Sequence, residues 1–117
     1  RVLLILGHLL GETRYLAAAE KTVEAAWTAM TKLPAEHTGL LRGLNYLLEP
    51  AQIIVIRGAE KQIQHWREKY QMMHNYVFAI PDHEQELPGL LTLRKPKKST
   101  CAYICQGTHC SSVVENI

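Results

Sequence analysis

"IIVIRGAEKQIQHWREKYQMMHNYVFAI", residues 53–80, is the stretch that decides the fold class of this chain. It opens with "IIVI", a β-branched run typical of a strand buried on both faces. The spacing then predicts a helix from about Ala59 to Met73, and "YVFAI", residues 76–80, predicts a second strand. The inward positions of this helix are Ile63, Trp66 and Tyr70. Strand, helix and strand within about 30 residues predict a βαβ unit with parallel strands and a right-handed crossover.

One more strand is expected on the C-terminal side of this unit. Residues 82–100 are polar, so we expect a long loop with one short helical turn near Leu90. "CAYIC", residues 101–105, predicts a third strand in which Tyr103 shares a face with the two flanking cysteines. We expect residues 111–117 to form a loose tail.

The first 50 residues show the apolar period of helices. Residues 2–10 are apolar on nearly every side, which indicates a buried helix. Thr13 is the expected N-cap of a second helix that runs to about Lys32. We place Pro34 in the first turn of a third helix, which Pro50 ends. The inward residues are expected to be Leu16, Ala19, Val23, Ala26, Trp27 and Met30, then Leu40, Leu41, Leu44, Leu47 and Leu48.

These elements predict a mixed α/β fold. A helical segment at 1–50, with a hairpin and a third helix, precedes a small unit at 51–117 with a three-stranded βαβ-type sheet, and we expect one compact domain. No apolar run reaches the roughly 18 residues that span a bilayer. The net charge of +2 is too small to indicate nucleic-acid binding. We therefore expect neither a membrane nor a nucleic-acid partner, and we interpret "RKPKK", residues 94–98, as a solvated loop.

The terminal "CAYICQGTHC" contains three cysteines and one histidine within ten residues. Cys105 and Cys110 are close enough in sequence to form a disulfide or redox pair, or they are two unpaired small residues of a strand and a turn. A zinc site is the weaker alternative, because Cys105, His109 and Cys110, with or without Cys101, lack the paired spacing of zinc motifs. An odd number of cysteines without a recognisable export signal favours reduced thiols in the cytoplasm.

A second candidate site follows the second strand. Asp82, His83 and Glu84 come directly after it, at the carboxyl end where open α/β sheets bind ligands. The alternative is a plain acidic loop. "RGAEK" after the first strand has a single glycine and no phosphate-binding fingerprint, so we expect no cofactor. His8, in an apolar helix, is interpreted as a core histidine.

Three stretches resemble one known family in their order along the chain. They are "LLILGHLLGETRYLAAAEKTVEA" (3–25), "LLRGLNYLLEPAQIIVIRG" (40–58) and "CAYICQGTHC" (101–110). The family consists of uncharacterised proteins that join an N-terminal thioredoxin-like domain to an (α/α) toroid related to N-acylglucosamine 2-epimerases and six-hairpin glycosidases. The chain looks like their extreme C-terminal segment. Its last stretch resembles a terminal motif in which a tyrosine-bearing strand leads to two cysteines five residues apart.

The resemblance implies a non-catalytic structural segment that closes its parent, whose own activity is unsettled. Arg1 runs directly into an apolar helix, which also indicates a piece of a longer protein. The expected partners are the rest of the parent chain and, through apolar helix faces, a second copy in a homodimer. The alternative is part of a carbohydrate-active or thiol-redox enzyme whose site includes Cys105 and Cys110.

Overall fold

The computed structural model describes residues 2–71 and 75–116, and the chain divides into two compact units, Arg1–Pro50 and Ala51–Ile117. Within the described residues there are four α-helices and one four-stranded mixed sheet. The predicted mixed α/β class is therefore confirmed. None of the helices in these ranges is both long and apolar enough to cross a bilayer.

The first unit contains three α-helices. They are α1 (Val2–Leu10), α2 (Thr13–Lys32) and α3 (Thr38–Leu48). Two predicted starts are wrong. The N-cap of α2 is Glu12 and not Thr13, because the Glu12 carbonyl already accepts the first hydrogen bond, from Tyr15 N–H. Glu12 has an extended backbone, and its side chain forms no capping hydrogen bond. Pro34 begins a separate 3-10 turn, Pro34–Glu36, so α3 starts only at Thr38.

The core of this unit is narrower than the predicted apolar stripes. Its buried side chains are Leu4, Ala19, Val23, Met30 and Tyr46. Trp27 is 53% exposed, because at about 100° of turn per residue it lies some 40° beyond Val23, at the margin of the buried stripe. Leu48 is 71% exposed, since Gly43 and Tyr46 define the inward face of α3 on another side of the helix. Both were expected to face inward, and both expectations are wrong.

The second unit contains the predicted βαβ unit and the predicted third strand, but its sheet has four strands and not the three that were expected. Its elements are β1 (Gln52–Gly58), α4 (Glu60–Tyr70), β2 (Tyr76–Pro81), a 3-10 turn (Gly89–Leu93), β3 (Cys101–Gln106) and β4 (His109–Cys110). The strand order is β2-β1-β3-β4. The pairing of β1 with β2 is parallel, as predicted, and the other two pairings are antiparallel. The short turn expected near Leu90 is confirmed.

Helix α4 covers one face of the sheet. It begins after the extended residue Ala59 and ends at Tyr70, whereas its predicted end, Met73, lies outside the described residues. Glu60 in the first turn and Arg67 in the last complement the helix dipole. Five buried residues form the shared core, Ile54, Ile56, Ile63, Trp66 and Ala102, and the partly buried Tyr70 packs against them.

The opposite face of the sheet is lined by alternate residues of β1 and β3. Arg57 is paired with Cys101, and Val55 with Tyr103, in the antiparallel register. The segment between β2 and β3 contacts this face through Arg94, whose guanidinium carbon lies 5.6 Å from the centre of the Tyr103 ring. Residues 82–100 are therefore fastened to the sheet, although they have little regular structure.

Two features of the C-terminus differ from the expected loose tail. A fourth strand, only two residues long, pairs with β3. The chain then continues beside β3, because Ser111 N–H donates to the carbonyl of Ile104 and Ala102 forms a two-way backbone bridge with Val114. A two-residue strand has no measurable period, so the alternation of the sequence could not reveal it.

Candidate functional site

The β3–β4 hairpin brings the two terminal cysteines together. Gln106 pairs with His109 across a turn in which Gly107 adopts φ 61°, the left-handed region that tight hairpin turns require. Cys105 is thereby placed directly opposite Cys110, with 4.0 Å between their Cα atoms, and the two form a disulfide. The expectation of reduced thiols is wrong for this pair, because the hairpin register places Cys105 within bonding distance of Cys110.

Arg94 lies against this disulfide. Its Nη2 is 3.4 Å from the Cys105 Sγ and 3.5 Å from the Cys110 Sγ. The same guanidinium stacks over Tyr103, whose hydroxyl donates a 2.6 Å hydrogen bond to the carbonyl of Lys95. Residues 94–98 form a loop that is mostly exposed, as predicted, but Arg94 is partly buried and contacts the disulfide.

Tyr103 lies on the same face of β3 as Cys101, the cysteine outside the disulfide. Burial raises the pKa of Tyr103, and the neighbouring Cys101 raises it further through its charge and a hydrogen bond, while the charges of Arg94 and Arg57 oppose the shift. Cys101 is fully buried and remains a free thiol. It is four residues from Cys105 along the strand, about 13 Å by strand rise, so it does not reach the disulfide.

The structure does not assemble the zinc site that was weighed as an alternative. The Cys105 and Cys110 sulfurs are bonded to each other, so neither is a thiolate ligand. Among residues 2–71 and 75–116, no three histidine, cysteine or acidic side chains are grouped so that they could hold a metal ion. His109 is exposed in β4.

The acidic loop after β2 is organised by its backbone. Arg57, only 1% exposed, donates from Nη2 to the carbonyls of Pro81 and Glu84. Asp82 N–H donates to the carbonyl of Gly58, 2.9 Å away. The side chains of Asp82, His83 and Glu84 point to solvent, with His83 Nε2 3.6 Å from a Glu84 carboxylate oxygen. The three candidates are thus neighbours at an exposed turn, and the carbonyl of one of them, Glu84, accepts a hydrogen bond from the buried arginine.

The carboxyl end of β1 is closed by one further contact. Thr100 is buried and donates a 2.6 Å hydrogen bond to Gln62 Oε1 on α4. This bond ties the start of β3 to the crossover helix, immediately beside Gly58. Two side chains at this end of the sheet are therefore bonded to each other.

In the first unit, His8 packs against an aromatic ring. Its imidazole stacks on Tyr46 with 6.0 Å between ring centres. Its Nδ1 is buried and has no hydrogen-bond partner among the described residues. Burial lowers the pKa of His8 below its usual 6.5. The sequence interpretation was a hydrogen-bonded core histidine; the stacking agrees with a packed side chain, but His8 is only partly buried and its Nδ1 lacks the hydrogen bond.

Two arginines that matter in the second unit were not among the predicted site residues. Arg57 carried one signal, because a charged residue that continues the strand "IIVI" must be buried with its partners. Arg94 carried none, since its contacts lie 11 and 16 residues away in sequence.

Comparison of the chain with protein-family profiles, with curated proteins and with solved structures finds no match.

Proposed function

We propose that this chain is the non-catalytic C-terminal structural segment of a larger cytoplasmic protein, one that joins a thioredoxin-like domain to an α-toroid. The first unit contributes a late helical hairpin of the toroid, and the second unit is a small α/β cap. Its principal partner is the remainder of the parent chain. Its role is to stabilise that parent.

The observation that carries this proposal is how the polar residues of the second unit are used. The Arg57 guanidinium holds main-chain carbonyls of the loop, while the side chains of the three candidate residues, Asp82 to Glu84, face solvent. The Thr100 hydroxyl and the Gln62 side chain bond each other and so tie β3 to α4. These groups fasten segments together, which is the behaviour of a structural unit.

The helical unit supplies a second line of support. Val2, Trp27 and Leu48 are 68%, 53% and 71% exposed, and Leu33 is 55% exposed. Large apolar side chains at these positions suit a segment that packs against more protein. In the parent, further toroid helices would cover them, and in isolation a second copy would do so.

The most direct experiment determines the transcript upstream of the codon for Arg1. The proposal expects an open reading frame that continues into helical-hairpin repeats and, further upstream, a thioredoxin-like domain. An in-frame stop codon immediately upstream, or an open frame that encodes an unrelated domain, would contradict it.

A second experiment tests the structural role in the full-length protein. Deletion of residues 51–117 is expected to lower the melting temperature of the helical remainder. As a control, the combined substitutions Asp82→Asn, His83→Gln and Glu84→Gln keep the main-chain carbonyls that Arg57 binds, so the melting temperature should not change. An unchanged melting temperature after the deletion would contradict the proposed role.

A further inference from the structure

The disulfide between Cys105 and Cys110 lies where a reagent in solution can reach it. Cys110 is exposed and Cys105 is partly buried. The strand that carries Cys110 is only two residues long, so little backbone structure shields the bond from its outer side. An external thiolate can therefore approach the Cys110 sulfur, and thiol–disulfide exchange begins with such an attack.

The second requirement is a group that stabilises the sulfur that leaves. The Arg94 Nη2 lies within 3.5 Å of both sulfur atoms, so either one would depart as a thiolate beside a positive charge. In the described ranges, 2–71 and 75–116, Arg94 forms no ion pair with a carboxylate. Its charge is therefore available to the sulfurs. A neighbouring cation lowers the pKa of a thiol, and a thiol of lower pKa is the better leaving group.

Other contacts hold this guanidinium in place. The Arg94 side chain stacks on Tyr103, and its backbone N–H donates to the carbonyl of Leu91, 3.0 Å away. The backbone carbonyl of Lys95, the next residue, accepts a hydrogen bond from the Tyr103 hydroxyl. The positive charge is thus fixed over the same strand, β3, that carries Cys105.

We propose that Cys105 and Cys110 form a thiol–disulfide exchange site, in which Arg94 stabilises the departing thiolate and the partner is an external dithiol. One thiolate of the dithiol attacks the Cys110 sulfur and forms a mixed disulfide. The bond to Cys105 breaks, and its electron pair leaves on the Cys105 sulfur. The second thiol of the reductant, as its thiolate, then attacks the reductant's first sulfur, which is bonded to Cys110 in the mixed disulfide. This step releases Cys110 as a thiolate. The protein gains two electrons and two protons, and the reductant becomes a disulfide.

The structure also indicates which thiols take part. Cys101 is 0% exposed and lies at the other end of β3, so it neither resolves the mixed disulfide nor competes for the reductant. The site therefore has two thiols, and its oxidised and reduced forms differ by one covalent bond across the hairpin.

The first test treats the folded, full chain with dithiothreitol at pH 7, followed by alkylation and peptide mass spectrometry. The expected result is modification of Cys105 and Cys110 but not Cys101, with an unchanged circular dichroism spectrum. A disulfide that resists dithiothreitol in buffer, and is reduced only after urea is added, would overturn the proposal.

The second test isolates Arg94 through the pH dependence of iodoacetamide alkylation in the reduced chain. The midpoint of this profile is expected about one pH unit higher in Arg94→Met than in the unsubstituted chain, because cations lower thiol pKa values by about one unit or more. Arg94→Lys keeps the charge and should fall between them. Arg67→Met, at an exposed position on α4, is the matched control and should leave the midpoint unchanged.

A measurement on the unsubstituted chain guards against misfolding of the variants. Roughly 1 M salt shortens the screening length to about 3 Å, so the midpoint should rise toward the value of Arg94→Met. Equal midpoints for Arg94→Met and Arg67→Met, together with a profile that salt does not shift, would overturn the role of Arg94.

Discussion

Gly58 lies so close to Thr100 that a Cβ atom at position 58 would be 2.6 Å from the Thr100 Oγ1 and 3.0 Å from its Cβ and Cγ2. Thr100 is buried, and its hydroxyl is engaged with Gln62 on α4. The threonine therefore cannot turn away without losing that hydrogen bond. The end of β1, the start of α4 and the start of β3 meet at this point only because residue 58 has no side chain.

Substitution Gly58→Ala is therefore expected to destabilise the chain by roughly 1–3 kcal/mol, the usual cost of overpacking. Urea unfolding provides the measurement. Gly39→Ala is the matched control, since nothing beyond the neighbouring backbone of α3 lies within 4 Å of the added methyl group and the change should be neutral or stabilising.

A double-mutant cycle checks the cause of this loss. Thr100→Ala removes Oγ1 and Cγ2, two of the three Thr100 atoms that the new Cβ would meet, and so relieves most of the crowding. The combined variant should then lose less stability than the sum of the two single variants. Strict additivity would show that crowding against Thr100 is not the reason.

Replacement of Arg57 tests the fastening of the acidic loop. Arg57→Met keeps much of the buried volume but removes the donors to the carbonyls of Pro81 and Glu84. We expect a loss of roughly 1–3 kcal/mol in the free energy of unfolding, because two hydrogen bonds from a charged donor to the loop carbonyls are lost. Hydrogen exchange should also become faster at Glu84, whose loop is released. Arg42→Met, at an exposed position within α3, should change neither quantity, and a shared effect would point to lost charge alone.

The disulfide should contribute measurably to stability despite its short loop. Six residues from Cys105 to Cys110 correspond to about 2 kcal/mol by the loop-entropy estimate. The double substitution Cys105→Ser and Cys110→Ser should lower the urea midpoint accordingly. Dithiothreitol should lower the midpoint of the unsubstituted chain and leave that of the double variant unchanged. An equal response of both proteins to the reductant would contradict this assignment.

His8 should make the stability of the chain depend on pH. Its pKa is lowered in the folded protein, so between that value and 6.5 the unfolded chain binds a proton that the folded chain does not. The contribution of neutral His8 to the free energy of unfolding is therefore fully present above about pH 6.5. It is lost as the pH falls through the pKa of His8 in the folded protein. Thermal melts from pH 7.5 to 5 should show a smaller decline in His8→Gln than in the control His65→Gln, at an exposed position on α4. Identical declines would rule out His8 as the source.

The parts of the fold that were predictable are those with a clear period. "IIVI" and "YVFAI" specify strands, and the helical spacing of Ile63 and Trp66 between them leaves a parallel crossover as the simplest solution. The β4 edge of the sheet was not predictable from such a period. Its strand is two residues long, and its position depends on the backbone of Gly107 and not on apolar alternation.

The candidate site was predictable only in part. The spacing of Cys105 and Cys110 permits a disulfide, but a general rule about compartments favoured free thiols over the geometry of one hairpin. The partner of that disulfide, Arg94, reaches it from another segment of the chain, and no local pattern encodes such a contact. The acidic loop, in contrast, lies where the sequence places it, with its side chains directed to solvent.

The return of the chain along β3 after Cys110 has a consequence for solubility. The outer edge of β3 would otherwise present unpaired backbone groups beside the apolar sequence "CAYIC", and such edges recruit strands from other molecules. The backbone bonds of Ser111 to Ile104 and of Val114 to Ala102 occupy that edge. Residues 111–114 thus cover the edge of β3 and oppose edge-to-edge aggregation. The disulfide from Cys105 to Cys110 keeps this segment aligned with β3.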